Sequence, residues 1–217
     1  MAAVPVWAER AVDRSPATRR HRERQVEQAT LVVDAARRLL AERGDRFTTR
    51  ELVKEAGIGL PTFYRLFGGK DQLLLTLFED LISEHCALLE AAAAEFTDPI
   101  ARLRFMITAT VQATGGGAEG RIMTAQYWRL HELFPGEMAR ATQQYADLLV
   151  RQLEVAGSEG RVDSASTRRD AWFTTKLVVA VFHAFAFADA GMDTDLGSVA
   201  DELWTYCRRA LGITDDV

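Results

Sequence analysis

Residues 47–70 constrain the fold most strongly, because they encode two short helices separated by a glycine-rich turn. Thr48 stands where an N-cap residue is expected, and Glu51 follows at the capping-box spacing, at which each residue can hydrogen-bond the backbone N–H of the other. Phe47 and Leu52 flank the same helix start with the spacing of a hydrophobic staple. The sequence therefore predicts a helix capped by Thr48.

Glycine and proline residues delimit both helices. Gly57 ends the first one, and Pro61 suits the first turn of the second, where its missing N–H has no helical partner to lose. The glycine pair at 68–69 stops the second helix, and a long helix begins at Lys70. A short helix joined by a tight turn to another short helix is the geometry of a helix-turn-helix, whose second helix enters the major groove of DNA.

The rest of the chain shows helical periodicity. Apolar residues recur every three or four positions from Val26 to Leu40, and the same spacing returns along several segments beyond residue 70. The sequence contains no alternating strand pattern and no internal repeat. We therefore predict an all-α fold of about nine helices. Its predicted parts are a flexible basic arm (1–24), a helix-turn-helix domain (25–69) and a C-terminal helical domain (70–217).

Charge is distributed unevenly along the chain, whose net charge is -5. Residues 1–70 contain 14 Lys and Arg against 9 Asp and Glu, whereas residues 71–217 contain 12 against 22. A basic N-terminal segment on an acidic remainder is typical of a module that faces phosphates. Chance asymmetry on solvated faces is the alternative interpretation of the same numbers.

Several function classes find no support in the sequence. It has no GxSxG, HExxH or P-loop pattern, so we do not expect an enzyme. The four histidines are scattered, and Cys86 and Cys207 stand alone, so we expect no metal site, disulfide or cofactor. The N-terminal segment is rich in arginine and lacks the apolar run of a signal peptide. The longest apolar run, at 177–188, is shorter than the roughly 18 residues that a membrane helix needs. A cytoplasmic protein without membrane contact is expected.

The residue chemistry of the motif is more specific than its spacing. Residues 47–74 have the sequence FTTRELVKEAGIGLPTFYRLFGGKDQLL. The order of a capped helix, Ala-Gly-aliphatic, Thr-aromatic-Tyr-Arg-x-Phe and Lys-acid-x-Leu resembles the DNA-binding signature of the TetR (tetracycline-repressor) family of bacterial regulators. The resemblance covers about residues 26–80 and implies that this segment binds double-stranded DNA.

The resemblance also assigns roles to individual residues. It implies that Tyr64 and Lys70 hold phosphates, while Thr62 and Arg65 lie at the groove. In place of the family's commoner Ser-Lys/Pro-Gly turn, this chain has Gly-Leu-Pro at 59–61, which predicts few polar base contacts. The predicted DNA-binding residues are Thr48, Thr49, Arg50, Gly59, Leu60, Thr62, Phe63, Tyr64, Arg65 and Lys70. Phe67 is predicted to pack in the core.

Four arginines precede the first predicted helix, at Arg19, Arg20, Arg22 and Arg24. A basic arm of this kind can enter a neighbouring minor groove. A disordered tail that only increases solubility fits the same residues equally well.

The C-terminal domain is expected to bind a small effector and to form a homodimer through its last two helices, as the resemblance implies. The first of these helices is rich in alanine, including Ala180 and Ala184, which suits close packing against a second subunit. Large and half-polar side chains in the middle of the chain are candidates for a ligand pocket, with core filling as the alternative. They are Phe105, Met106, Met123, Tyr127, Trp128, His131, Phe134, Tyr145, Trp172 and Phe173.

Together these expectations describe a ligand-responsive transcriptional regulator. Its most common form in the family is a repressor that a small, here lipophilic, effector releases from a palindromic operator. The alternative is a protein of the same fold that binds DNA without regulating transcription, or that responds to a protein partner.

Overall fold

The computed structural model describes residues 16–113, 118–162, 166–186 and 195–213. Helices account for nearly all of these residues, so the fold is all-α as predicted. The described residues form nine α-helices and one turn of 3-10 helix at Gly44–Arg46. The α-helices are α1 (Pro16–Arg43), α2 (Thr49–Glu55), α3 (Leu60–Phe67), α4 (Lys70–Ala93), α5 (Pro99–Gln112), α6 (Ala118–Leu133), α7 (Pro135–Ser158), α8 (Thr167–Ala186) and α9 (Leu196–Ala210).

Helix α1 begins at Pro16, within the segment predicted as a flexible arm. The prediction was wrong for residues 16–24, because they lack apolar periodicity yet consist largely of arginine and glutamate, which are good helix formers. Proline at the first position also favours a helix start, because its φ is already helical. Arg20, Arg22 and Arg24 are exposed on this helix, whereas residues 1–15 and the side chain of Arg19 lie outside the described residues. Contact of these arginines with DNA stays a prediction.

The chain divides into two compact units, residues 1–73 and 74–217. In the first unit, α1 packs against α2 and α3, and α2 packs against α3. The buried residues of this unit are Val32, Ala35, Ala36, Leu39, Leu40, Phe47, Leu52, Ala56, Phe63, Phe67 and Leu73. The 3.6-residue repeat of α1 therefore supplies one apolar stripe that the two short helices cover.

In the second unit, α5 packs against α7, α8 and α9, and α7 packs against α8. Leu103, Ile107 and Leu149 lie at the centre of its core and are 0–1% exposed. An isolated antiparallel bridge between Val162 and Ile213 joins the segments that follow α7 and α9. No helix in the described ranges is both long enough and apolar enough to cross a membrane.

Replacing Thr48 by alanine removes the side-chain cap of α2, so we expect the free energy of unfolding to fall by about 0.5–2 kcal/mol. Urea denaturation followed by circular dichroism measures the loss. Thr48→Ser keeps the hydroxyl and is the matched control, with stability close to that of the unmodified protein. Equal unfolding midpoints for Thr48→Ala and the unmodified protein would contradict the role of the cap.

Candidate nucleic-acid interface and ligand cavity

The start of α2 is a complete capping box. The Thr48 hydroxyl accepts a hydrogen bond from the Glu51 backbone N–H at 3.2 Å, and the Thr48 backbone N–H donates to the Glu51 carboxylate at 2.7 Å. Arg43 donates to the other carboxylate oxygen at 3.2 Å. The hydrogen bonds from Thr48 are the main reason why the pKa of Glu51 lies below its usual value. Thr48, predicted as a DNA contact, thus has a structural role as the cap of α2, and Arg50 on the first turn of this helix is exposed.

The turn between α2 and α3 depends on a left-handed backbone at Gly57, where φ is +67°. The chain then reverses, and the Ile58 N–H donates to the Val53 carbonyl at 3.0 Å. Gly59 is the N-cap of α3 and supplies no side-chain cap, so its carbonyl alone accepts from the N–H groups of Thr62 and Phe63. Since β-carbons strain a positive φ, glycine is required at 57 for α3 to leave the turn in this direction.

Helix α3 has a buried face and an exposed face. Tyr64 is 51% exposed, Arg65 is exposed, and Leu60 and Thr62 are half-buried. Phe63 is 0% exposed and its ring stacks on that of Phe67, with 5.7 Å between ring centroids. The prediction of Phe63 as a DNA contact was wrong, because its ring is fully buried in the core of the first unit and is not accessible to DNA.

Lys70 stands at the start of α4, where it makes internal contacts. Its ammonium donates to the carbonyl oxygens of Asp45 and Phe47 at 2.5 and 3.0 Å, and it lies 4.4 Å from the centroid of the Phe47 ring. Two of its three N–H donors are therefore used within the protein. These bonds tie the first turn of α4 to the segment that precedes α2.

The second unit contains a cavity of about 230 Å³ between helices α4, α5, α6, α7 and α8. Its apolar wall includes Phe78, Leu81, Ile82, Cys86, Ala113, Val179 and Phe182. Its hydroxyl and imidazole groups come from His85, Thr110, Thr124, Tyr127, Thr142, Tyr145, Thr175 and His183. Such a cavity, apolar with a few polar groups, is typical of small-molecule sites.

Several of the polar groups are fixed by hydrogen bonds to the backbone. The carbonyl of Met106 accepts from the hydroxyls of Thr110 at 2.7 Å and Tyr145 at 3.2 Å. Because the Thr110 proton is used in that bond, the 3.0 Å contact between Thr110 and His85 requires Nε2 of His85 to donate. The histidine is thereby held in one tautomer.

The cavity favours uncharged side chains. Burial lowers the pKa of both His85 and His183, and it raises the pKa of Tyr127. Burial also raises the pKa of the Cys86 thiol to about 11, so this cysteine remains protonated at neutral pH. No cluster of three or more potential metal ligands occurs among the residues that the structure describes.

Of the predicted ligand-binding residues whose side chains the structure describes, Tyr127 and Tyr145 alone line this cavity. Trp128, His131 and Trp172 instead line a surface groove beside it, which Tyr127 also borders.

The remaining predicted ligand residues lie elsewhere. Met106 is buried in the core, and the Phe105 ring packs against Phe96 at 5.4 Å. Phe134 precedes α7 as its N-cap, and Phe173 is 58% exposed. Met123 belongs to α6, and its side chain lies outside the described residues.

Sequence reasoning missed the contribution of α4 and α8 to the cavity. His85 interrupts the apolar stripe of α4, and His183 interrupts the longest apolar run of the sequence, at 177–188. These interruptions were the signal that the sequence offered, because a buried polar side chain needs either a hydrogen-bond partner in the core or a polar cavity. The pattern alone does not distinguish the two.

Comparisons with known proteins fit this geometry. Residues 32–77 match the family model described as bacterial regulatory proteins, tetR family. The HTH-type transcriptional regulator BetI of Brucella melitensis is 32% identical over 84 residues, which cover 38% of this chain and 42% of BetI. The aligned segment thus spans less than half of that relative.

Two solved structures share the fold across both units. RolR in complex with resorcinol has a TM-score of 0.68 and 20% identity, covering 88% of this chain and 91% of its own. FadR of Bacillus subtilis in complex with stearoyl-CoA has a TM-score of 0.64 and 17% identity, covering 85% and 99%. The segment at residues 32–77 thus matches the tetR family of bacterial regulatory proteins, and the likeness to these solved structures shows that the chain shares their fold.

Proposed function

We propose that the protein is a sequence-specific DNA-binding transcriptional regulator that responds to a small lipophilic effector, and that it acts as a repressor released from a palindromic operator. The observation that carries the proposal is the helix-turn-helix, a capped α2 and a glycine turn followed by α3 with Tyr64 and Arg65 exposed. This motif lies inside the segment that matches the family model.

The exposed face of α3 has the chemistry for DNA recognition. Arg65 carries five N–H donors in a planar arrangement that matches the acceptors of guanine or a phosphate. The Tyr64 hydroxyl suits a phosphate oxygen. Leu60 offers only an apolar contact, such as a thymine methyl, so we expect part of the specificity to come from DNA shape.

The cavity supports regulation by a ligand. RolR was solved with resorcinol and FadR of Bacillus subtilis with stearoyl-CoA, so the same fold accommodates ligands of very different size. Helix α4 carries Lys70 on its first turn and lines the cavity with residues 78–86 farther along. A ligand that prefers one position of α4 shifts the population of DNA-binding conformations, because only differential affinity moves such an equilibrium.

Dimerisation through α8 and α9 completes the proposal, since a palindromic operator requires two copies of the motif. On α8, Ala180 and Ala184 are exposed, and Phe173 is 58% exposed. On α9, Tyr206 is 63% exposed. Exposed alanines beside aromatic rings allow close helix packing against a second copy.

Arg65→Ala is expected to weaken binding to a duplex obtained by in vitro selection with the unmodified protein. The lost contact corresponds to about 1–3 kcal/mol, or roughly 5- to 150-fold in Kd, measured by fluorescence anisotropy. Arg140→Ala is the matched control, because Arg140 is an exposed arginine of α7 that pairs with Glu137 at 3.1 Å. Equal affinity of the Arg65 variant and the control would count against α3 as the recognition helix.

Ala184→Glu is expected to convert the dimer to a monomer, because it places a charge at the centre of the proposed helix interface. Light scattering after size exclusion gives the mass directly. Ala139→Glu makes the same change at an exposed alanine of α7 and leaves the dimer intact. Dimers that persist in Ala184→Glu would refute this interface.

A further inference from the structure

Helix α8 presents a polar, an apolar and a second polar residue to the cavity at intervals of four. Thr175, Val179 and His183 all line it. This spacing places the three side chains on one face of the helix, with about 12 Å along the axis between the first and the last. The apolar Val179 therefore separates two polar positions at opposite ends of a stripe.

Each of the two polar positions has a buried atom without a hydrogen-bond partner in the described part of the chain. Thr175 is 2% exposed and His183 is 9% exposed, and neither Oγ1 of Thr175 nor Nδ1 of His183 has a partner among the described residues. Thr142, another threonine of the cavity, donates to the Met138 carbonyl at 3.0 Å, as helical threonines commonly do. Buried polar atoms in proteins nearly always have a hydrogen-bond partner. Two exceptions on one cavity wall therefore indicate groups that hydrogen-bond a ligand when it is bound.

The cavity restricts both the charge and the size of what it binds. Among the described residues that line it, none is Asp, Glu, Lys or Arg, so an ionised ligand would lose its hydration without gaining a counter-charge. A dry cavity of about 150 Å³ admits benzene. The 230 Å³ present here therefore suits a molecule of about two fused rings.

We propose that the cavity binds an uncharged, elongated molecule of about two rings that carries one hydroxyl or carbonyl group at each end. Thr175 hydrogen-bonds the group at one end, His183 hydrogen-bonds the group at the other, and Val179 contacts the apolar body between them. Two hydroxyls on opposite ends of a naphthalene ring, each with a hydrogen bond of about 2.8 Å, span roughly the interval between the two residues. The inference rests on the proposed function and names the chemical class of its effector.

Both polar residues can serve a hydroxyl or a carbonyl. A threonine hydroxyl donates one proton and accepts at its lone pairs, and a neutral imidazole Nδ1 donates or accepts according to tautomer. The Tyr127 ring lies against His183, with 4.1 Å between ring centroids, and holds the imidazole at the cavity wall. Burial also lowers the pKa of His183, which keeps the ring neutral at the pH of the cell.

Calorimetric titration of the full-length protein with four probes tests the proposal. These are naphthalene, 2-naphthol, naphthalene-2,6-diol and naphthalene-2,6-dicarboxylate, which share one ring system and differ in polar groups. We expect each hydroxyl to tighten binding by about three- to tenfold, the gain of one neutral hydrogen bond, and the dicarboxylate not to bind. Equal affinity for naphthalene and the diol, binding of the dicarboxylate, or no binding of any probe would overturn the proposal.

Variants assign the two ends. Thr175→Val and His183→Phe keep the shape of the cavity wall, and each is expected to reduce the preference for the diol over naphthalene by about three- to tenfold. Together they abolish it. Thr108→Val removes a hydroxyl outside the cavity that donates to the Arg104 carbonyl at 2.9 Å, and it leaves the preference unchanged. Naphthalene binding by every variant shows that the cavity has formed, and a preference that survives in the double variant would refute the roles of both residues.

Operator binding measured with and without each probe separates this inference from the proposed function. If the diol binds as expected but leaves operator affinity unchanged, the ligand class stands and ligand-responsive regulation fails. If the dicarboxylate binds and releases the operator, regulation stands and the ligand class fails.

Discussion

The first unit depends on the burial of two phenylalanines beneath a helix of eight residues. Isolated helices this short are unstable in water, so α3 persists only because packing supports it. Phe63 and Phe67 lie one turn apart on its inner face, and both are buried. The neighbouring aromatic residues Phe63 and Tyr64, both predicted as DNA contacts, thus have different roles. Phe63 anchors the helix in the core, and Tyr64 is exposed.

Lys70 shows how positioning and electrostatics combine at the same interface. Its bonds to the carbonyls of Asp45 and Phe47 fix the start of α4 against the segment before α2. The charge is therefore held at a defined place instead of at the end of a mobile side chain. A fixed cation contributes more to binding an anion than a mobile one, because less side-chain entropy is lost when the anion arrives. On the proposed function, Lys70 both supports the motif and attracts phosphate.

Local interactions explain what the sequence predicts well. The capping box at Thr48 and the turn at Gly57 are determined within a few residues, and both occur as expected. The start of α1 was missed because its first two turns are held by helix propensity, without the apolar periodicity that marked the other helices. The DNA-binding role of the remaining motif residues stays a prediction.

The cavity was harder to predict, because five helices distant in sequence combine to form it. Trp128 and Trp172 were predicted as ligand residues because they are large and aromatic, yet their side chains line a surface groove. Small polar residues such as Thr175 line the cavity instead. Which face of a helix lines a void is decided by the packing of its neighbours. No periodicity within one helix records that choice.

The packing also determines which polar groups of the cavity are hydrogen-bonded within the protein and which are not. On the α5 and α7 side, the hydroxyls of Thr110 and Tyr145 share the Met106 carbonyl, so that wall satisfies its own hydrogen bonds. On the α8 wall, Oγ1 of Thr175 and Nδ1 of His183 have no partner among the described residues. A satisfied wall is rigid and gains nothing from a polar ligand, whereas an unsatisfied wall gains a full hydrogen bond at each end. On the proposed function, α8 carries both the polar groups that recognise the ligand and the exposed alanines that contact a second subunit. Val179 and His183 border the same surface groove as Ala180 and Ala184, so the two roles fall on neighbouring faces of one helix.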